Sequence, residues 1–236
     1  MIFLMLLNPM VAALTSRFLI LRHGQTNHNA AGILQGSSDI SRLTDKGKQQ
    51  ARDAGAALAS LSGLRILRVY VSPLARAQET WKLLAHDNAL DLEVDVLPQL
   101  REIDLYSWEG RQKEDISASS PDAYMAWKVD PLGLEIDGHR PVVELWERAR
   151  GAWAELLDGG ASNGLLEGTT LVVCHNQVGK ALLCTALGLD ETHLRAFEFP
   201  NCGALELEWP ADATCATRWR WRLPLPGDAE QWRVGV

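Results

Sequence analysis

The run Phe18-Leu19-Ile20-Leu21-Arg22-His23-Gly24-Gln25-Thr26 decides the fold. Four consecutive apolar residues read as a buried strand that stops at an arginine and a histidine. A histidine therefore stands at the carboxyl edge of a strand, which is where open α/β sheets bind ligands. The guanidinium beside it offers a planar fork of donors matched to phosphate oxygens. Taken alone, these residues read better as a satisfied turn histidine at His23 and a solvated charge at Arg22.

The same arrangement returns twice. Leu171-Val172-Val173-Cys174 ends in His175-Asn176 and passes into an amphipathic stretch over Gln177 to Leu187. A third strand candidate, Leu64 to Val71, ends at Ser72-Pro73, where Ser is a favoured N-cap and Pro is preorganised for the first helical position. Arg76 then falls about one turn into that helix. Parallel strands joined by right-handed crossovers would bring all three ends to one rim. Two histidines, His23 and His175, and two arginines, Arg22 and Arg76, converge there, which points to phosphoryl chemistry.

The chain has 236 residues, 47% of them hydrophobic, which suits one α/β domain with a full core. The patterning predicts strands at 17–22, 64–71, 92–97 and 169–174, and helices at 44–61, 73–85, 141–157 and 177–188. Ala204 to Trp209 alternates like a strand with one wet face, and Arg218-Trp219-Arg220-Trp221-Arg222 like an edge strand with one apolar face. The segment from Ser107 to Arg140 is polar, carries Pro121, Pro131 and Gly133, and holds a short helical stretch over Asp122 to Lys128. It is the expected excursion from the sheet and a candidate lid. Residues 1–16 read as a disordered leader or a targeting remnant, leaving 17–236 as the domain.

Composition excludes several classes. A net charge of −7 weighs against a broad nucleic-acid face, the Arg/Trp ribbon notwithstanding, and means that local arginines must attract an anionic substrate. Asn8-Pro9 interrupts the apolar start well short of a membrane span. Cys174, Cys184, Cys202 and Cys215 lack Cys-x-x-Cys spacing and read as buried free thiols. His28, His86 and His193 read as surface or loop residues, and no His-Glu-x-x-His pattern indicates a metal, so neither metal nor cofactor is expected. Trp81, Trp127, Trp146 and Trp153 read as packing residues.

Arg22-His23-Gly24, Ser72-Pro73-Leu74-Ala75-Arg76-Ala77, Leu100-Arg101-Glu102 and His175 together resemble the histidine phosphatase, or phosphoglycerate mutase-like, superfamily over residues 17–209. The resemblance implies a three-layer α/β/α sandwich around a mostly parallel sheet. Gln35-Gly36-Ser37-Ser38-Asp39, Arg101 to Ser107, Ile136 to His139, Asn176-Gln177-Val178 and Asn201-Cys202-Gly203 are similar to the plant and cyanobacterial 2-carboxy-D-arabinitol-1-phosphatase type. Many relatives carry Gly after the second histidine and Gly-Glu-Ser where this chain has Gly138-His139-Arg140, so these departures mark a subfamily.

By this resemblance His23 is the nucleophile that becomes a phosphohistidine, and Arg22, Arg76 and His175 hold the phosphoryl oxygens, with Asn29 and Asn176 as neutral donors. Glu102 is the candidate acid, against the alternative of a structural glutamate paired with Arg101 or Arg111; Arg76 could otherwise be a helix-surface charge. Gln35 and Gly36 are expected near the substrate, and His139 with Arg140 would read a sugar carboxylate or hydroxyl. The implied activity is phosphomonoester hydrolysis on a small phosphorylated sugar or sugar acid, 2-carboxy-D-arabinitol 1-phosphate above all. Alternatives are a phosphoglycerate mutase, disfavoured by Glu102-Ile103-Asp104-Leu105-Tyr106-Ser107 where mutases carry a Glu-Arg-Tyr-Tyr-Gly-like run, and a noncatalytic phospho-ligand-binding protein. Such a protein is expected in the chloroplast stroma of a plant or alga and in the cytoplasm elsewhere; the oligomeric state stays open.

Overall fold

In the computed structural model, residues 15–86, 88, 90–161, 168–223 and 233–234 are described. The strands are β1 (Thr15–Arg22), β2 (Ile66–Val71), β3 (Val94–Val96), β4 (Thr169–Cys174), β5 (Ala204–Pro210), β6 (Arg218–Leu223) and β7 (Arg233–Val234). The helices are α1 (Asn27–Ala31), α2 (Asp45–Ser60), α3 (Ala75–His86), α4 (Lys113–Ser119), α5 (Pro121–Val129), α6 (Pro141–Ala161) and α7 (Asn176–Ala186). No described helix is long and apolar enough to cross a membrane.

The strands form one seven-stranded sheet in the order β3-β2-β4-β1-β5-β6-β7. The first four are mutually parallel, and β6 shares their direction because two antiparallel steps separate it from β1. Five of the seven strands thus point the same way, as the alternation of strands and helices predicts. Register follows the pleat: Leu19 and Leu21 join Val69, Val71, Leu171 and Val173 beneath α2 and α3, while Phe18 and Ile20 join Val172 and Cys174 beneath α6 and α7. Helices therefore cover both faces, and the three-layer sandwich results.

Two expectations about the chain's ends need correction. Thr15 and Ser16 are not leader: they pair with Pro210 and Trp209 as the first residues of β1. The rest of the expected leader, 1–14, lies outside the described residues. The ribbon at 218–222 is not an edge at its amino-terminal end, where β7 pairs with Arg218 and Trp219.

Nor does β5 have a wet face. Ala204 through Trp209 are all buried. Glu206 and Glu208 tolerate this because arginines from both neighbouring strands reach them: Arg220 at 2.9 Å and Arg222 at 2.8 Å to Glu206, and Arg17 at 3.3 Å plus Arg218 to Glu208. Alternation alone cannot tell a charged face turned to water from one covered by opposite charge. On the reverse face of β6, Trp219 and Trp221 pack on Phe197 and Phe199.

The polar segment at 107–140 does leave the sheet. It contributes α4, α5 and 3-10 turns at Tyr106–Trp108 and Pro131–Gly133, with Trp108, Ile116, Trp127, Leu134 and Ile136 buried in the main core.

Candidate active site

β1 delivers His23 to the rim and a tight turn fixes it there. The His23 N–H donates to the Cys174 carbonyl at the end of β4, so the two strand ends are stitched together. Gly24 then passes beneath α2 so closely that a Cβ on it would lie 2.4 Å from the Gly47 carbonyl oxygen. Only glycine fits that approach.

The His23 ring is 2% exposed, and its Nδ1 lies 2.7 Å from the Gly24 carbonyl. A carbonyl only accepts, so Nδ1 carries the proton and Nε2 keeps its lone pair. Burial, and after it the Arg76 and Arg22 charges, hold the imidazole well below its ordinary pKa of 6.5, so it is neutral at physiological pH.

His175, the N-cap residue of α7, is fully buried, with its ring centroid 5.0 Å from that of His23. The Arg76 Nε donates to its Nδ1 at 3.2 Å, so Nε2 holds the proton and donates to Ser72 Oγ at 2.7 Å. Both ring nitrogens are engaged within the protein, and the ring does not reach the cavity wall. Through these two contacts His175 sets the orientation of Arg76.

Arg76 is fully buried, and its remaining nitrogens donate to the carbonyls of Ser38 at 2.7 Å and Gly36 at 2.8 Å. Burial brings its pKa down to about 10, with Glu102 and Asp39 opposing the fall. It is therefore no helix-surface charge.

The Ser-Pro capping expectation also needs correction. α3 begins at Ala75, whose N–H donates to Asp39 at 2.7 Å, so a carboxylate from the loop after α1 caps this helix. Ser72 Oγ accepts from the Leu74 N–H at 3.3 Å just ahead of the helix and from His175 at 2.7 Å. Arg76 is the second helical residue, not a turn inside.

Glu102 lies at the amino end of α7. Its Oε1 accepts from the N–H groups of Ile103 (3.0 Å), Gln177 (3.1 Å) and Val178 (3.0 Å), and its Oε2 from Gln177 (3.1 Å). The suggested pairing with Arg101 or Arg111 does not occur: Arg101 binds Asp104 and Arg111 binds Ser119.

A cavity of about 240 Å³ opens over these groups, lined on its inner side by Arg22, His23, Asn29, Gln35, Gly36, Arg76, Glu102 and Asn176. The sequence-derived set thus comes together except for His175, just behind the wall, and His139. The latter stacks on Tyr106 at 4.0 Å and lies 3.4 Å from Glu144, while Arg140 donates to the Leu132 carbonyl; neither lines the cavity. Their place at the outer end is taken by His28, Lys113, Trp127 and Arg195. Arg195 lies 4.1 Å over the Trp127 ring and donates to its carbonyl. Sequence reasoning missed these because Trp127 looks like any helical core residue and Arg195 follows no motif.

Asn201 and Cys202 complete the support: the Asn201 amide donates to the His23 carbonyl at 3.0 Å, and the Cys202 N–H reaches the carbonyls of Arg22 and His23. Among the described residues no cluster of three His, Cys, Asp or Glu is placed to hold a metal ion.

The sequence profile of the histidine phosphatase superfamily (branch 1) matches residues 18–222. The chain belongs to that superfamily. Among curated members of it, the 2-carboxy-D-arabinitol-1-phosphatase of Triticum aestivum is 39% identical over 193 residues, covering 82% of this chain and 37% of the wheat protein. The chain thus spans little more than a third of that relative's length. A probable phosphoglycerate mutase, GpmB of Enterobacter sp. (strain 638), is 31% identical over 205 residues, 85% of this chain and 88% of its own. Among solved histidine phosphatase structures, a mycobacterial glucosyl-3-phosphoglycerate phosphatase superposes with a TM-score of 0.73 at 29% identity, covering 88% of this chain and 97% of its own.

Proposed function

We propose that the protein is a metal-independent phosphomonoesterase that works through a phosphohistidine at His23 on a small phosphorylated sugar acid. The observation that carries this reading is the state of one ring: a neutral imidazole, its Nδ1 proton bound by Gly24, with a free Nε2 among guanidinium groups. Nε2 attacks phosphorus, the bond to the leaving oxygen breaks, and Glu102 in its acid form supplies that oxygen's proton. The Gly24 carbonyl steadies the positive charge that the ring acquires. Water then attacks phosphorus, the N–P bond breaks, and Glu102 recovers a proton from the water. Arg22, Arg76, Asn29 and Asn176 frame the charge that builds on the phosphoryl oxygens.

The outer end of the cavity supports the substrate class. Lys113 and Arg195 line it, and neither forms an ion pair with an acidic side chain among the described residues. A carboxylate on the substrate would meet them there, and 2-carboxy-D-arabinitol 1-phosphate, the compound in the wheat relative's name, has this character. The excursion over 107–140, which supplies Lys113 and Trp127, serves as the wall that selects it. On this reading the working location is the chloroplast stroma in a plant or alga and the cytoplasm elsewhere.

The test is phosphate release across a panel of phosphorylated sugars and sugar acids, with acid-labile, alkali-stable phosphate trapped on the enzyme. Sugar acids should be preferred, and Lys113→Gln and Arg195→Gln should raise KM for them while leaving neutral sugar phosphates unchanged. No label in the parent, or label retained in His23→Ala, refutes the mechanism. The relative named as a mutase gives the second reading, which predicts that turnover needs a bisphosphate primer.

A further inference from the structure

Glu109 stands outside the cavity wall, yet its carboxylate is among the most heavily engaged in the molecule. Its Oε1 accepts from the Ser37 N–H at 2.8 Å, the Ser37 hydroxyl at 3.2 Å and the Leu105 N–H at 3.0 Å. One oxygen thereby ties the loop after α1 to the start of the 107–140 excursion. The neighbouring backbone reinforces the tie: Gly110 N–H donates to the Leu34 carbonyl at 2.8 Å and Leu34 N–H to the Arg111 carbonyl at 2.9 Å.

The loop so held is the one that grips Arg76. Gly36 and Ser38, the residues either side of Ser37, supply the two carbonyls that accept from the Arg76 guanidinium. Gly36 adopts φ +51, and a Cβ there would fall 2.1 Å from Glu109 Oε1. The glycine lets the carboxylate approach, and the carboxylate fixes the carbonyls. Contact then runs from Arg76 Nε to His175 and on to Ser72.

We infer that Glu109 is a positioning residue for the phosphoryl-transfer reaction, acting through Gly36 and Ser38 on the Arg76 guanidinium. It touches no reacting atom. This inference rests on Arg76 binding the phosphoryl group, as in the function proposed above.

The donors to Glu109 are two backbone N–H groups and a hydroxyl, all neutral, so a carboxamide oxygen at the same place serves as well. Glu109→Gln should therefore restore what Glu109→Ala loses. Glu109→Asp keeps the charge but withdraws the oxygen by one methylene, and should resemble Ala. The experiment measures kcat and KM for p-nitrophenyl phosphate in all three variants, each also combined with Arg76→Lys.

Glu109→Ala should lower kcat by about 10- to 100-fold, the usual consequence of an ångström-scale misplacement, with KM little changed. In the Arg76→Lys background the same substitution should lower it less than about threefold, because interacting sites are not additive. Equal penalties in both backgrounds, or a Gln variant as slow as Asp, overturn the inference. Should Glu109→Ala fail to fold, the Asp and Gln variants decide the matter alone. A parent that turns over without a phosphohistidine refutes the proposed mechanism and leaves this coupling measurement intact.

Discussion

Replacing Glu102 with glutamine separates chemistry from architecture more cleanly than any other change at this site. Three of the four contacts that its carboxylate accepts fall on Oε1, from Ile103, Gln177 and Val178. A glutamine that puts its oxygen there keeps all three, while its NH2 takes the place of Oε2 and faces the Gln177 N–H across 3.1 Å. The structural cost is one charge-assisted contact and the attraction between a carboxylate and the amino end of α7, together about 1–2 kcal/mol. The chemical cost is larger, because a carboxamide delivers no proton, and general acid catalysis is worth about 10²- to 10⁴-fold. That factor corresponds to about 3–5 kcal/mol of barrier.

The two costs fall on different measurements. Thermal denaturation should show a variant only slightly less stable than its parent. kcat/KM on a phosphorylated sugar should fall at least about 100-fold, since its alkoxide cannot leave without a proton. On p-nitrophenyl phosphate, whose phenolate leaves unaided, the loss should be no more than about tenfold. Equal slowing on both substrates would show that Glu102 holds the amino end of α7 and transfers no proton.

Other outcomes follow from the same geometry. His23 and His175 are both kept neutral by burial, so the folded state binds fewer protons than the unfolded chain below pH 6.5. Stability should be complete above that pH and decline beneath it, by up to about 1.4 kcal/mol per pH unit for each histidine. Denaturation between pH 5 and 8 measures this, and a His23→Gln variant whose slope matches the parent's would contradict it. Gly24→Ala must push α2 away, because the neighbour at 2.4 Å is backbone. It should cost about 1–3 kcal/mol, and an unchanged denaturation midpoint would be inconsistent with that packing. His139→Ala should leave KM for sugar acids as it is, since the ring lies outside the cavity; a clear rise would return His139 to the substrate.

The sheet was readable because apolar runs at 17–22, 64–71 and 169–174 each ended in punctuation that only a strand-to-helix turn explains. His23, Arg76 and Glu102 were readable because motif residues sit at such turns. What escaped was whatever depends on packing between segments far apart in sequence. The capping partner of α3 is Asp39, 36 positions before Ala75, where local reading offered Ser72. His139 and Arg140 carried the right charge for a substrate contact, yet the turn from Ile136 to His139 lays the imidazole on Tyr106. The acidic positions of β5 looked solvated because their counter-charges come from other strands. In each case the deciding neighbour was set by topology.

The arginines enclosing Glu206 and Glu208 bear on any attempt to engineer this molecule. Charges withdrawn from water are poorly screened by dissolved ions, so the Glu206 group with Arg220 and Arg222 should withstand brine that loosens surface pairs, while the half-exposed Arg17 and Arg218 beside Glu208 are screened more readily. Neutralising Glu206 would leave the largely buried Arg220 and Arg222 without their acid at about 3–5 kcal/mol, whereas exchanging such a group for well-fitted aliphatic side chains is often neutral or favourable. Stepwise mutational paths across this patch are steep, and only a concerted replacement is open.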